Sequence, residues 1–226
     1  MKRLRTGAIV LAGLWLTGCA TAPFQRPEPF AATGLAPERV PAAFAERLAP
    51  RYEQAQALVF RFYLREIAAL GYLSVDVPAR SFAMACLNPV GIKLFELVGT
   101  NGEVEARFVA PEIEKHGGEL AQAAGADLAR AYFDWLPPAG ATCRRAKNRL
   151  IFTAADAAGR TEYRYAGRAG FLAEKIRFEG RRVLWKVEYR DYRRGAEGWI
   201  PTGLVIHNRR YGYRLVVQAK ESEEAP

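Results

Sequence analysis

From Val183 to Tyr189 the chain alternates strictly. Val183, Trp185, Val187 and Tyr189 fall on one face, while Leu184, Lys186, Glu188 and Arg190 fall on the other. Successive side chains of a strand point to opposite sides, so this period of two predicts a half-buried β-strand and excludes a helix. The same period recurs in Tyr163 and Tyr165 against Glu162 and Arg164, and in Ile176 and Phe178 against Lys175, Arg177 and Glu179. It returns in Tyr211, Tyr213, Leu215 and Val217 against Arg214 and Gln218. Gly159, Gly167 to Gly170, Gly180 and Gly195 to Gly198 punctuate these runs. Connections this short join antiparallel neighbours, since a parallel pair needs a crossover of about a dozen residues or more. Earlier strands are expected at Ala57 to Arg65, Gly71 to Val77, Ser81 to Leu87, Ile92 to Val98 and Glu103 to Ala110, with a hairpin at Asn101-Gly102.

One helical segment interrupts the strands. Pro111 with Glu112 and Glu114 suits a helix start, and His116-Gly117-Gly118 ends or kinks that first piece. A second helix is predicted from Glu119, with Leu120, Ala124, Leu128, Ala131 and Trp135 forming one apolar stripe before Pro137-Pro138 stops it. That stripe must be buried, and the aromatic face of the sheet is the large apolar surface on offer. The expected fold is therefore α+β: a single curved antiparallel sheet forming an incomplete β-barrel, with a helical lid across its concave face. Leu120, Leu128 and Trp135 are the expected lid residues. Tyr163, Tyr165, Ile176, Phe178, Trp185, Val187, Tyr189 and Leu215 are the candidate lining of the interior, either around a ligand cavity or as plain packed core.

The amino terminus reads differently. Lys2, Arg3 and Arg5 precede an apolar run from Ala8 to Leu16, too short to span a bilayer and suited to a signal peptide over residues 1–18. Leu16-Thr17-Gly18-Cys19 resembles the bacterial lipobox, which implies lipidation of Cys19 and cleavage before it. Several acyl chains on one residue make such an anchor effectively permanent. Six prolines between Ala20 and Pro50 disfavour regular structure, so residues 19–50 are expected to be a lipidated tether with a short helix near Ala42 to Leu48, ahead of a folded body over 51–226. Aspartate is absent after Cys19, where Ala20 stands; by resemblance to sorted bacterial lipoproteins this implies the outer membrane, facing the periplasm.

Asn88-Pro89-Val90-Gly91 between two strands, the string Trp185-Lys186-Val187-Glu188-Tyr189 with Tyr192, and Pro201 opening the next strand resemble the outer-membrane lipoprotein receptor family LolB. The resemblance extends over about Ala57 to Lys220. It implies a half-open barrel whose hydrophobic cavity takes acyl chains of lipoproteins from a periplasmic carrier. It also implies a membrane-delivery loop at Pro89, Val90 and Gly91. The family carries leucine where Val90 stands, and one methylene less removes about 0.8 kcal/mol of apolar transfer.

Other chemistry finds little support in the residues. With two histidines and three cysteines, and no readable triad, zinc or phosphate-loop spacing, neither an enzyme nor a metal or other cofactor is expected. Asp127 and Asp134 share a helix face at a spacing of seven, and solvation is the simpler reading. Cys86 and Cys143 are either a disulfide or separate thiols. Residues 143–214 hold 18 Lys and Arg against 7 Asp and Glu, and loss of Lys2, Arg3 and Arg5 would take the net charge from +9 to +6. This basic half suits anionic headgroups or an acidic protein partner, and nucleic acid is not expected in the envelope. Two functions follow: a lipid-anchored protein that binds acyl chains, or a structural or assembly lipoprotein with a packed core and a basic protein-binding face.

Overall fold

The computed structural model describes residues 24, 36–62, 65–111 and 117–220, with 117–121 described by their backbone alone. The lipobox, Cys19 and most of the expected tether lie outside those residues. In chain order the strands are β1 (Arg51–Phe62), β2 (Arg65–Asp76), β3 (Ser81–Leu87), β4 (Lys93–Thr100), β5 (Glu103–Val109), β6 (Thr142–Ala146), β7 (Arg149–Asp156), β8 (Gly159–Ala166), β9 (Phe171–Glu179), β10 (Arg182–Arg194), β11 (Trp199–Asn208) and β12 (Tyr213–Ala219). A short α1 (Val40–Ala45) precedes them, and α2 (Gly117–Tyr132) lies between β5 and β6.

All twelve strands belong to one antiparallel sheet in the order β5-β4-β3-β2-β1-β12-β11-β10-β9-β8-β7-β6. Each adjacent pair is a sequence hairpin except β1 and β12, whose register from Gln56↔Ala219 to Phe62↔Tyr213 joins the two halves of the meander. The edges β5 and β6 do not pair, so the barrel stays incomplete, and the connection between them carries α2 across the concave side. The expected α+β half-barrel with a helical lid is the observed architecture.

β2 begins at Arg65 rather than Gly71, and β6 and β7 have no counterpart among the expected strands; two further boundaries differ for a visible reason. β1 begins at Arg51 rather than Ala57, because Gln54 and Gln56 occupy inward positions and break the apolar alternation. Gln56 is 1% exposed, and its Nε2 donates to the Tyr132 hydroxyl at 3.1 Å, which makes a buried amide tolerable there. The packed body also starts before residue 51. Val40, Pro41 and Phe44 of α1 are buried, and the Ala49 amide donates to the Trp199 carbonyl at 3.0 Å. The segment 40–49, expected to be tether, is part of the core.

The phase of β9 is the main correction. Lys175 lies opposite Tyr163 and Val187, and Arg177 opposite Trp185, so both point to the concave side; Ile176 lies opposite Glu162 and Lys186 on the convex side, as does Phe178 opposite Arg160. Irregularities between Val183 and Trp185 and between Arg164 and Tyr165 shift the alternation by one residue, the usual effect of a β-bulge. Val183 consequently leaves the face of Trp185. Ile176 is nevertheless buried, between its cross-strand neighbours Glu162 and Lys186.

That convex face is a charged lattice. Glu174 is 2.5 Å from Arg149, 3.0 Å from Arg164 and 3.8 Å from Lys186, while Glu188 contacts Lys186 at 2.5 Å, Arg190, and His207 at 3.4 Å. Burial alone would raise the Glu174 carboxyl, but Lys186, Arg149 and Arg164 hold it below its usual range. The same burial and the surrounding Arg214, Lys186, Arg209 and Arg190 push His207 down to about 4, so it is neutral at pH 7. Glu162, Glu174 and Glu188 are thus shared among Arg149, Arg160, Arg164, Lys186 and Arg190 within the sheet face itself, and the basic excess of this half remains.

Candidate functional site: the lidded interior

The lid lies close to the sheet because of one glycine. A Cβ on Gly125 would stand 2.4 Å from Cγ1 of Val104, so any larger residue would push α2 away from β5. Leu128, Ala131 and Tyr132 face inward and are buried. Trp135 is buried just beyond the helix end, and the side chain of Leu120 lies outside the described residues.

A helix leaves its last carbonyls without intrahelical partners, and here the barrel supplies donors. The Ala131 carbonyl accepts from the Tyr189 hydroxyl at 2.9 Å and from Trp135 Nε1 at 2.7 Å. The Trp135 carbonyl accepts from the Tyr165 hydroxyl at 2.9 Å. Lys175 Nζ donates to the Arg130 and Asp134 carbonyls at 3.2 and 2.7 Å, placing a cation where the helix dipole favours one. Burial lowers the Lys175 ammonium to about 8, with Arg130 and Arg80 adding to the effect and Asp134 opposing it. Burial pushes the Tyr189 phenol well above 10, so it remains a donor throughout the neutral range.

Midway along the lid, Asp127 is 2% exposed, contrary to the solvated role expected for it. Its Oδ1 accepts from Arg130 Nη1 at 2.6 Å; its Oδ2 accepts from Asn208 Nδ2 at 3.0 Å and from the Tyr213 hydroxyl. This cluster binds the middle of α2 to the ends of β11 and β12. Spacing along the helix could not reveal its burial, because Asn208 and Tyr213 lie 81 and 86 residues away.

Between α2 and the sheet remains a cavity of about 20 Å³ beside Leu58, Phe60, Met84, Phe95, Leu128 and Leu215. That volume suits about one water molecule and admits no acyl chain. Of the expected lining, Leu215 borders this cavity. Tyr163, Tyr165, Val187 and Tyr189 share the concave face but belong to the packed core, and Trp185 is half-buried at its margin. Ile176 and Phe178 lie on the other side of the sheet. The lining contributed by β1, β3 and β4 was missed, although Leu58, Phe60 and Phe62 carry the same period of two.

At one end of the half-barrel Asn88-Pro89-Val90-Gly91 makes a tight turn. Asn88 Oδ1 accepts from the amides of Val90 at 3.1 Å and Ile92 at 2.9 Å, and the Gly91 amide donates to the Asn88 carbonyl at 3.0 Å. Gly91 takes φ +89°, a conformation that favours glycine. Val90 is 80% exposed and Ile92 61%. Since Leu70 pairs with Leu87, Ile67 extends from the sheet at this same end and is also exposed. Cys86 is buried on β3 and Cys143 exposed on β6, and both thiols are free.

No protein-family model matches the sequence, and no curated protein matches it. Among solved structures, the chain is similar to a LolA superfamily protein from Nitrosomonas europaea, with 8% identity and a TM-score of 0.51 over 85% of this chain and 96% of that one. A domain described as an outer membrane lipoprotein-sorting protein domain, from Vibrio parahaemolyticus, gives 7% identity and a TM-score of 0.47 over 86% and 95%. At such identities the likeness is one of fold, and the fold shared with the first is the lidded half-barrel.

Proposed function

We propose that this chain is an envelope lipoprotein, anchored through Cys19 to the outer membrane on its periplasmic side, that takes acyl chains between α2 and the concave sheet. The observation that carries this reading is the construction of the interior: an apolar lining under a lid held by a small number of polar contacts, with exposed Val90, Ile92 and Ile67 at one end of the half-barrel. The fold shared with a LolA superfamily protein supports it, as does the resemblance of the Asn88 turn and the Trp185 strand to LolB receptors. With about 20 Å³ free, a chain enters only as α2 moves outward. The Asp127 cluster is the contact that must break first, because the C-terminal end of α2 is held by more bonds. A periplasmic carrier is the proposed donor, Val90 with Pro89 and Gly91 the proposed delivery loop, and no catalytic step or cofactor is assigned.

The packed interior favours a second reading, in which the same fold is a structural or assembly lipoprotein. Native mass spectrometry of the purified protein separates the two. Retained acyl ligand, or saturable uptake of a fluorescent fatty acid with an affinity near micromolar, is the result expected for the first. A protein that emerges empty and takes up none belongs to the second.

A further inference from the structure

Beside the lid, on the side away from the small interior cavity, lies a cleft of about 620 Å³. Its walls come from the flank of α2 that carries Ala123, Ala126 and Arg130, the β4–β5 turn, Arg177 of β9 and the ends of β10 and β11. We infer that this cleft receives the anionic head of a single amphiphile, a phosphate or a carboxylate, held by Arg130, Arg177 and Arg210 beside the rings of Trp185 and Tyr211. The inference rests on the acyl-chain reading above and names the class of molecule to which that chain is attached.

Charge selects the ligand. Three guanidinium groups and the carboxylate of Glu103 line the cleft; Arg130 is paired with Asp127 at 2.6 Å and Arg177 with Asp156, which leaves Arg210 as the cation most open to a ligand. A guanidinium presents paired N–H groups that match carboxylate and phosphate oxygens. Arg210 has no ion-pair partner among the described residues and lies 5.8 Å from the Tyr211 ring centroid. Arg130 lies 5.3 Å from the Trp185 ring, which fixes one cation over an aromatic wall. Arg177 is less available, since it is paired with Asp156 through both terminal nitrogens at 2.7 Å. A volume of this size is in the range of small-molecule pockets.

Position selects an amphiphile. Asn208 lines the cleft, and it donates to Asp127, which lines the interior cavity. A single polar cluster therefore separates a cationic cleft from an apolar interior. An anion in the cleft competes with Asp127 for Arg130, and this loosens the cluster that holds the lid at its middle. Head binding and admission of the chain are thereby coupled through one guanidinium.

The test is titration of the purified full-length protein with dodecyl phosphate, 1-monolauroylglycerol and inorganic phosphate, each below any micelle concentration, read by displacement of a fluorescent fatty acid and by calorimetry. The expected result is that dodecyl phosphate binds about tenfold more tightly than the uncharged amphiphile, as one charge-assisted contact would give. Arg210→Gln should remove most of that preference, with uptake of 1-monolauroylglycerol and the circular-dichroism spectrum unchanged. Arg130→Lys, which keeps the charge but not the paired geometry, should lower it in part. Equal binding of the charged and uncharged amphiphiles overturns the inference and leaves the acyl-chain reading standing; binding of neither overturns both. Inorganic phosphate binding as tightly as dodecyl phosphate also overturns it, because the cleft is then a site for a free anion.

Discussion

At the end of the half-barrel made by the β8–β9 and β10–β11 turns, Phe44 is fully buried, with ring centroids of Tyr165, Phe171, Tyr192 and Trp135 at 5.7 to 6.3 Å. At the opposite end no such plug is seen among the described residues. Phe60 and Phe62 lead along the inner face toward it, and Val90, Ile92 and Ile67 project into solvent. The lid belongs to both regions: its C-terminal end is fixed beside the plug, and its middle is held by the Asp127 cluster together with close packing of Gly125 on Val104 and burial of Leu128. The difference teaches where motion is cheap. Exposed apolar groups together with few buried contacts mark the end that can open or meet a membrane, while dense aromatic packing marks the end that cannot.

Removing the plug should give the largest effect. Phe44→Ala deletes a buried ring whose neighbours on β8, β9 and β10 cannot collapse into the space, and should cost about 3–5 kcal/mol. Urea unfolding of the variant measures it. A loss under about 1 kcal/mol would mean that the segment 40–49 is tether after all and that the two ends are alike.

Lys175 holds the lid at the plugged end and carries a pH signature. Its folded value of about 8 lies below the ordinary 10.5, so between those pH values the unfolded chain binds more protons. The contribution of this group to stability therefore rises with pH from about 8 to 10.5, and the penalty for its buried charge is fully present below pH 8. The total is on the order of 3 kcal/mol. In Lys175→Met, stability measured by denaturant midpoints at pH 7.5 and 9.5 should lose that upward slope. A slope unchanged by the substitution would place the ammonium in solvent.

The sheet, its antiparallel order and the lid were legible because period-two runs and glycine turns are local patterns. Polar residues facing inward were not. Gln56, Lys175 and Asp127 are each buried because a distant group satisfies them: Tyr132, the carbonyls at the end of α2, and Asn208 with Tyr213. Nothing within a few positions of any of them records that partner. The phase of β9 failed for a related reason, since a bulge moves every following side chain to the other face without leaving a mark in hydrophobicity. The segment 40–49 read as a short helix within a tether because six prolines are spread over residues 20–50, while Phe44 alone carried the evidence that it is core.

A milder test of the same end is Tyr189→Phe. The hydroxyl is one of two donors to the Ala131 carbonyl, and Trp135 Nε1 remains when it is removed. The cost should be about 1 kcal/mol, the net value of one hydrogen bond, because the carbonyl is not left unpaired. Double-mutant analysis with Lys175→Met should show coupling, since both fix the same helix end. Additive losses would mean that the two contacts hold separate parts of the lid.

The smallest effect on stability is expected at the open end, where the largest effect on function is proposed. Val90 is held outward by a turn built from the Asn88 side chain and the positive φ of Gly91, and no core contact depends on its methyl groups. Val90→Glu should therefore change stability by no more than about 0.5 kcal/mol, as for other surface substitutions. In water an exposed valine gains nothing, but against acyl chains it gains its transfer free energy, which a carboxylate opposes. Transfer of a fluorescent acyl ligand from the protein to liposomes should then slow in Val90→Glu and be retained or quickened in Val90→Leu. If Val90→Glu unfolds the protein, the turn is core and the two ends do not differ. Were the variant to fold and transfer at the wild-type rate, delivery would have to use Ile92 or Ile67, and the loop proposed from resemblance would carry no role in it.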